Sequence, residues 1–312
     1  MKRVRSEKIP PKKLLEKAQR AAAKGQKDKA LVLFESSVDD YLKQGFSLKA
    51  LAAAKLAKIM LGSNPRVRAL LIRLYDSIGL PGDSRKEFDE IAELLRKDLI
   101  LIFQGLDQQE FTDFLDIMVI EQISKGEVVL KQGQSGQDIF IVVSGRLEVV
   151  RDTERISIMH PGDIFGELGY FLHARRSASV KAIEKCMLIR LPSKPLRELC
   201  RKYPSVNQKL EQIYSLRVLQ KAGEDLAGDP LFDLRKDQIT KVTFAKGQAI
   251  TLNSEAEIFI VKHGAVEIDF MEKGMKKKQF PGPGGIIRKS MGNARAGTEV
   301  VLLKVRPMFD DD

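Results

Sequence analysis

Phe165-Gly-Glu-Leu-Gly-Tyr-Phe-Leu-His-Ala-Arg-Arg-Ser-Ala-Ser179 sets a carboxylate, two glycines and paired arginines within one short turn. Gly166 and Gly169 lack a Cβ, so their backbone can approach a ligand closely. Backbone N–H groups in such a turn hold phosphate. Arg176 supplies a planar, permanently charged fork for phosphate oxygens, and Glu167 can only accept hydrogen bonds, which suits a sugar hydroxyl. Acceptor and cation together point to a ribose phosphate. Around this stretch, Ile139-Phe-Ile-Val-Val143 and Arg146-Leu-Glu-Val-Val150 read as strands of a hairpin joined across Ser144-Gly145, and residues 155–159 and 187–191 add two more. Many short strands separated by Gly126, Gly133, Gly136 and Gly145 predict a β-roll or jelly roll with a ligand-enclosing mouth.

Downstream, Ser193 to Tyr203 reads as a helix closed by Pro204. A second helix opens at Ser205 with Gln208 completing a capping box. Its stripe of Val206, Leu210, Ile213, Leu216 and Leu219 needs a partner, which the roll, the next domain or another subunit can supply. Upstream, residues 11 to about 97 read as antiparallel helices punctuated by Gly25 and Gly45. The third runs from about Ser47 to Leu61, and the fourth follows Asn64-Pro65, with Asn as cap and Pro in the first turn. A fifth holds Phe88, Ile91, Leu94 and Leu95. Phe103, Leu106, Phe111 and Phe114 suit one more amphipathic helix.

The chain also repeats itself. Lys125-Gly126, Ile139-Phe-Ile-Val142 and Gly145 recur as Lys246-Gly247, Ile258-Phe-Ile-Val261 and Gly264, which predicts a second roll. The counterpart of the opening stretch is residues 282–296. Arg288, Lys289 and Arg295 there can meet an anion, but no acid stands ready for a sugar hydroxyl.

Length and composition agree with several domains: 312 residues exceed what one core usually holds. The N-terminus, Met-Lys-Arg-Val-Arg, lacks the apolar core of a signal peptide, and no apolar run reaches a membrane span, so a cytoplasmic setting is expected. Cys186 and Cys200 form no CxxC pair and the three histidines are scattered, which argues against a disulfide framework or a zinc site. The net charge of +11 is concentrated: residues 1–29 carry eleven Lys/Arg against Glu7, Glu16 and Asp28, and Lys276-Lys-Lys278 forms a second cluster. Without interleaved aromatics or a DNA-reading motif, both clusters read as solvated surface rather than a nucleic-acid site. No acid–base pair, metal cluster or activated nucleophile is evident, so catalysis is not expected.

Phe165-Gly-Glu-Leu, with Arg176-Ser-Ala-Ser-Val180 nine residues after the glutamate, resembles the phosphate-binding cassette of the cyclic nucleotide-binding domain family, shared by catabolite activators and regulatory subunits of cyclic-nucleotide-dependent kinases. The resemblance covers about 98–222 well and 229–307 weakly. It implies that Glu167 accepts from the ribose 2′-hydroxyl, that Arg176 pairs with the cyclic phosphate, that the Ser177 hydroxyl either touches the phosphate or favours guanine, and that Gly166 and Leu168 line the ligand. Ala174, near a position where many members have proline, and Gly169-Tyr170 depart from the family pattern, which bears on base selectivity. Arg175 reads as a solvated neighbour, His173 as an exposed loop residue, and Tyr170 and Phe171 as core. The helices resemble tetratricopeptide-like hairpins through Gly25, Ala30, Phe34 and Asn64-Pro65, which implies a protein-binding surface.

The expected architecture is therefore α+β and multidomain: a tetratricopeptide-like α-helical domain over 1–97, a cyclic nucleotide-binding β-roll over 98–192, connecting helices over 193–228, and a degenerate second roll over 229–312. The expected function is a non-enzymatic cytoplasmic sensor of cAMP or cGMP, without cofactor, that signals to a protein partner through its helical domain or to another subunit as a homodimer. The alternatives are a scaffold whose pocket is not gated and a receptor for a cyclic dinucleotide.

Overall fold

The computed structural model describes residues 9–98, 100–173, 175–225, 239–252, 258–272 and 275–305. Ala174, the basic residues at positions 2–8 and the expected start of the second roll at 229–238 lie outside them.

Five helices occupy the N-terminal region: α1 (Pro11–Ala23), α2 (Lys27–Lys43), α3 (Ser47–Leu61), α4 (Pro65–Ser77) and α5 (Pro81–Leu94). Each packs on the next, around a core that includes Ala30, Phe34, Val38, Ala54, Leu71 and Leu74. The Asn64 carboxamide oxygen accepts from the backbone N–H groups of Arg66 at 3.0 Å and Val67 at 3.4 Å, which starts α4 as its sequence predicts. The expected helix through Phe103 and Leu106 is shorter. Phe103 lies in a turn and Leu106 in the segment after it, and α6 (Gln108–Ile117) begins only after Asp107, whose carboxylate accepts from Glu110 N at 2.7 Å while Glu110 accepts from Asp107 N at 3.1 Å. That reciprocal cap sets the boundary. Phe103 stays in the core, edge-on to Phe111 and Phe114 with centroids 5.4 and 5.3 Å away.

The following strands are β1 (Val119–Ile123), β2 (Val128–Leu130), β3 (Ile139–Ser144), β4 (Leu147–Arg151), β5 (Glu154–Met159), β6 (Ile164–Phe165), β7 (Ser179–Ala182) and β8 (Cys186–Leu191). They form two antiparallel sheets in the orders β1-β8-β3-β6 and β2-β7-β4-β5, with Phe140, Val142, Leu147, Val180 and Leu188 between them. The expected hairpin across Ser144-Gly145 does not form: β3 pairs with β6 and β8, whereas β4 pairs with β5 and β7. Gly145 adopts φ +83°, and a Cβ there would lie 2.5 Å from the Lys185 carbonyl oxygen. The two-residue turn is thus a corner that passes the chain from one sheet to the other.

Helix α7 (Glu167–Leu172) interrupts the passage from β6 to β7. After β8 come α8 (Ser193–Lys202) and α9 (Pro204–Asp225). Helix α9 opens at Pro204, which suits a first helical position. The Ser205 hydroxyl bonds Glu110 Oε1 at 2.8 Å, so the expected Ser205–Gln208 box gives way to a tertiary contact. The buried stripe of α9 is Val206, Leu210, Ile213, Tyr214 and Val218, while Leu216 is exposed.

A second set of strands follows, eight among the described residues: β9 (Ile239–Phe244), β10 (Ala249–Ile250), β11 (Ile258–His263), β12 (Val266–Glu272), β13 (Met275–Gln279), β14 (Ile286–Arg288), β15 (Asn293–Ala296) and β16 (Val300–Val305). Their sheets, β9-β16-β11-β14 and β10-β15-β12-β13, repeat the earlier strand orders one for one. Lys276, Lys277 and Lys278 lie on β13, an exposed edge strand, where charge discourages pairing with other chains. Lys278 pairs with Glu267 and, at 3.8 Å, with Asp269. The chain divides into two compact units, Met1–Lys209 and Leu210–Asp312. No helix among the described residues is long and apolar enough to cross a membrane.

Within the first unit one carboxylate joins three elements. Asp113 of α6 accepts from Arg73 Nη2 of α4 at 2.7 Å, from the Tyr203 hydroxyl at 2.7 Å and from Lys202 Nζ at the α8–α9 junction. Burial alone would raise its pKa, but the hydrogen bonds from Lys202, Tyr203 and Arg73 outweigh burial and hold it at about 2, below the ordinary 3.8. A depressed carboxyl pKa stabilises the fold above about pH 4, and that contribution disappears as pH falls to about 2. Asp113→Asn is expected to cost about 2 kcal/mol at neutral pH. In urea titrations across pH, the gap between the variant and the parent should close between about pH 4 and pH 2.

Candidate functional site

The passage from β6 to β7 places Arg176 at the centre of a walled cradle. The residue is only 7% exposed; Nη1 donates to the Gly166 carbonyl and Nη2 to the Asp138 carbonyl, both at 2.9 Å. The backbone is fixed too, with Arg176 N donating to Gln134 O at 2.8 Å and Gly133 N donating to Arg176 O at 2.9 Å. Arg176 Nε is buried and has no hydrogen-bond partner among the described residues. Burial pushes the guanidinium pKa down, opposed by the charges of Asp138 and Glu167. An arginine still remains charged, and a buried charge with an unmet donor calls for an acceptor.

Glycines make the cradle possible. A Cβ at Gly136 would lie 3.0 Å from Arg176 Nη2, and one at Gly166 or Gly169 would lie 2.8 Å from Nη1. Gly166 also adopts φ +85°, turning the chain from β6 into α7. The sequence suggests that Gly166 and Gly169 admit a ligand; in the structure both also make room for the Arg176 guanidinium.

Glu167, at the start of α7, is 4% exposed, so it and Arg176 are buried groups rather than a surface ion pair. Gly166 and Leu168 are half-buried and Ser177 is exposed. The five expected residues thus share one loop. Arg175 is exposed and donates to the Gly133 carbonyl at 3.0 Å. His173 is exposed, with Nδ1 2.8 Å from Gln137 Nε2. Tyr170 is buried and Phe171 half-buried, their rings meeting edge-on.

Three further contributors are Gly136, which the sequence marks only as a turn glycine, and Asp138 and Arg197, which no motif marks. Asp138 lies directly before β3, and its carboxylate accepts from Ser193 N, the first residue of α8, at 2.9 Å and from Arg190 Nη1 at 3.2 Å. Arg197 of α8 donates to the Tyr170 carbonyl at 2.9 Å and to Gln137 Oε1 at 3.2 Å, with its guanidinium 4.3 Å from the Tyr170 ring centroid. Burial raises the Tyr170 hydroxyl pKa, helped by its neighbour Cys200. The loop is therefore bound to α8 from both ends. A signal was present in Gly136-Gln-Asp138, small and acidic residues immediately ahead of an unbroken apolar strand.

The second set of strands lacks this construction. Thirteen residues, 166–178, separate β6 from β7, whereas four, 289–292, separate β14 from β15. Arg288, Lys289 and Arg295 stand around that short link, and Arg295 is exposed on β15.

Residues 120–203 match the cyclic nucleotide-binding domain family. Over that segment the chain is similar to cyclic nucleotide-binding domains, and its relatives include a cyclic-nucleotide-dependent kinase and a kinase regulatory subunit. The cGMP-dependent protein kinase 2 of Mus musculus is 28% identical over 208 residues, covering 63% of this chain and 26% of the kinase. A cAMP-dependent protein kinase regulatory subunit of Yarrowia lipolytica is 31% identical over 98 residues, covering 31% of this chain and 26% of the subunit. The solved Thermus thermophilus Catabolite Activator Protein shares 27% identity with a TM-score of 0.38, over 40% of this chain and 61% of that one. The chain spans about a quarter of the length of the two kinase relatives.

The cradle makes a steric prediction. In Gly169→Ala the new Cβ would lie 2.6 Å from the Gly136 carbonyl oxygen, so the backbone must shift. A loss of about 1–3 kcal/mol is expected from such overpacking. Gly82→Ala in α5, where nothing lies within 4 Å, should instead be neutral or stabilising by up to about 1 kcal/mol. Urea midpoints of the two variants check the contrast.

Proposed function

We propose that the chain is a non-enzymatic cytoplasmic regulator that binds one cyclic nucleotide, cAMP ahead of cGMP, in its first roll and signals by protein contact. The observation that carries this reading is the buried Arg176 guanidinium with its unpartnered Nε inside a glycine-walled cradle. Two of its five N–H donors are committed to carbonyls, so the rest of the fork remains for a phosphate. Glu167 accepts from the ribose 2′-hydroxyl, while Gly166, Leu168 and Ser177 line the ligand. The second roll is a degenerate copy, consistent with its four-residue link between β14 and β15.

The output follows from the contacts of the loop. A ligand shifts an arrangement only by its differential affinity for two states. Closure on phosphate acts on Gly166 and Asp138 through Arg176, and from there on α8 through Ser193 and Arg197. Asp113 then ties the α8–α9 junction to α4 of the helical region, the tetratricopeptide-like module that meets a partner.

Removing one partner of a buried charged pair costs about 2–5 kcal/mol, roughly 30- to several-thousand-fold in affinity. Arg176→Ala should therefore nearly abolish cAMP binding in calorimetry, and the parent should bind one nucleotide per chain. Unchanged affinity in the variant would sink the site assignment. In thermal shift, cAMP at a hundredfold excess over Kd should stabilise the chain by about 3 kcal/mol. Silence toward cAMP, cGMP and cyclic dinucleotides alike would leave the scaffold reading in its place.

A further inference from the structure

Helix α3, Ser-Leu-Lys-Ala-Leu-Ala-Ala-Ala-Lys-Leu-Ala-Lys-Ile-Met-Leu, contains no carboxylate. One side buries Ala50, Leu51, Ala53, Ala54, Ala57 and Leu61. The other exposes Leu48, Ala52, Lys55 and Ile59, whose spacing of four, three and four places them on one face. Leu48 is 77% exposed and Ile59 is 80% exposed, the two highest values for large apolar side chains among the described residues. Isolated exposed leucines are ordinary. Two large apolar side chains on one face of one helix, each more than three-quarters exposed, however, leave an apolar surface that a partner can cover.

Charge indicates what covers it. Lys55 lies within the stripe and Lys49 beside it, each held near a ring: Lys49 Nζ is 4.1 Å from the Phe46 centroid and Lys55 Nζ is 5.5 Å from that of Tyr75. Helix α1, which touches α3, exposes Lys12, Lys13, Lys17, Arg20 and Lys24 against Glu16. Residues 1–8 of the same chain carry Lys2, Arg3, Arg5 and Lys8 against Glu7, the same sign as the surface. A second copy would likewise bring lysines to lysines.

We propose that the open face of α3 is the docking surface for an acidic amphipathic helix of a protein partner. The stripe from Leu48 to Ile59 spans about 16 Å, three helical turns. Ala52 in its middle allows a partner helix to approach closely, with apolar residues at three- and four-residue spacing against the stripe and carboxylates toward the lysines. This deepens the reading above, in which the output is protein contact, by naming the surface and the partner's chemistry.

The test uses the full chain and a labelled amphipathic peptide of about 18 residues, with leucines at three- and four-residue spacing and glutamates on its flanks. The peptide should bind, more weakly as salt rises. Leu48→Glu with Ile59→Glu should reduce affinity more than about tenfold, leaving cAMP binding and the melting temperature unchanged. Lys49→Glu with Lys55→Glu should invert the preference toward the same peptide carrying lysines in place of glutamates. Four results would each overturn the proposal: no binding of the glutamate peptide, equal binding of the lysine peptide, undiminished affinity in the apolar double variant, or self-association or binding to phosphatidylserine vesicles that this variant abolishes. Failure of the parent chain to bind any cyclic nucleotide would instead remove the sensor reading and leave this surface standing.

Discussion

A guanidinium taken out of water must be met by oxygen atoms, and Arg176 organises its surroundings around that requirement. The carbonyls of Gly166 and Asp138 meet two of its nitrogens at 2.9 Å, which brings the end of β6 against the entry to β3. Gly136, Gly166 and Gly169 withhold the methyl groups that would collide with it. The carboxylate of Asp138 then reaches Ser193 and Arg190, so the residue that steadies Arg176 also fixes where α8 begins. The loop is thereby tied both to the entry of β3 and to the start of α8.

A second carboxylate plays the corresponding part between helices. Asp113 gathers Arg73, Lys202 and Tyr203, groups far apart in sequence, and their hydrogen bonds hold it ionised in spite of burial. Its neighbour Glu110 caps α6 with one oxygen and accepts from Ser205 with the other. The start of α6 and the start of α9 are thereby set together. A local helix cap and a tertiary contact share one side chain, so neither can change without the other.

The two rolls show which parts of this architecture belong to the sheet and which to the site. Strand order, the left-handed glycines at 126 and 247 and at 145 and 264, and the interior phenylalanines 140 and 259 occur in both. The long link that carries Glu167 and Arg176 occurs in the first alone. The β framework thus persists with a four-residue link: its core of Phe259, Val261, Val266 and Leu302 comes from the strands, and the link adds Met291 packed against it.

The sequence by itself determined the helical and β regions, the internal repeat, the Asn64 cap and the grouping of Gly166, Glu167, Leu168, Arg176 and Ser177, because periodicity, capping and motif spacing act over a few residues. Tertiary structure decided the rest. Ser144-Gly145 has the local chemistry of a hairpin and becomes a corner between sheets, because Lys185 and Cys186 crowd that glycine from across the roll. Ser205 has the spacing of a cap and bonds Glu110 instead, ninety-five residues away. Asp138 and Gly136 are unremarkable in their own segment and become part of the site only when the chain returns with Arg176 thirty-eight residues after Asp138. A buried charge draws its partners from wherever the fold brings oxygen atoms within reach, and sequence separation carries no record of that.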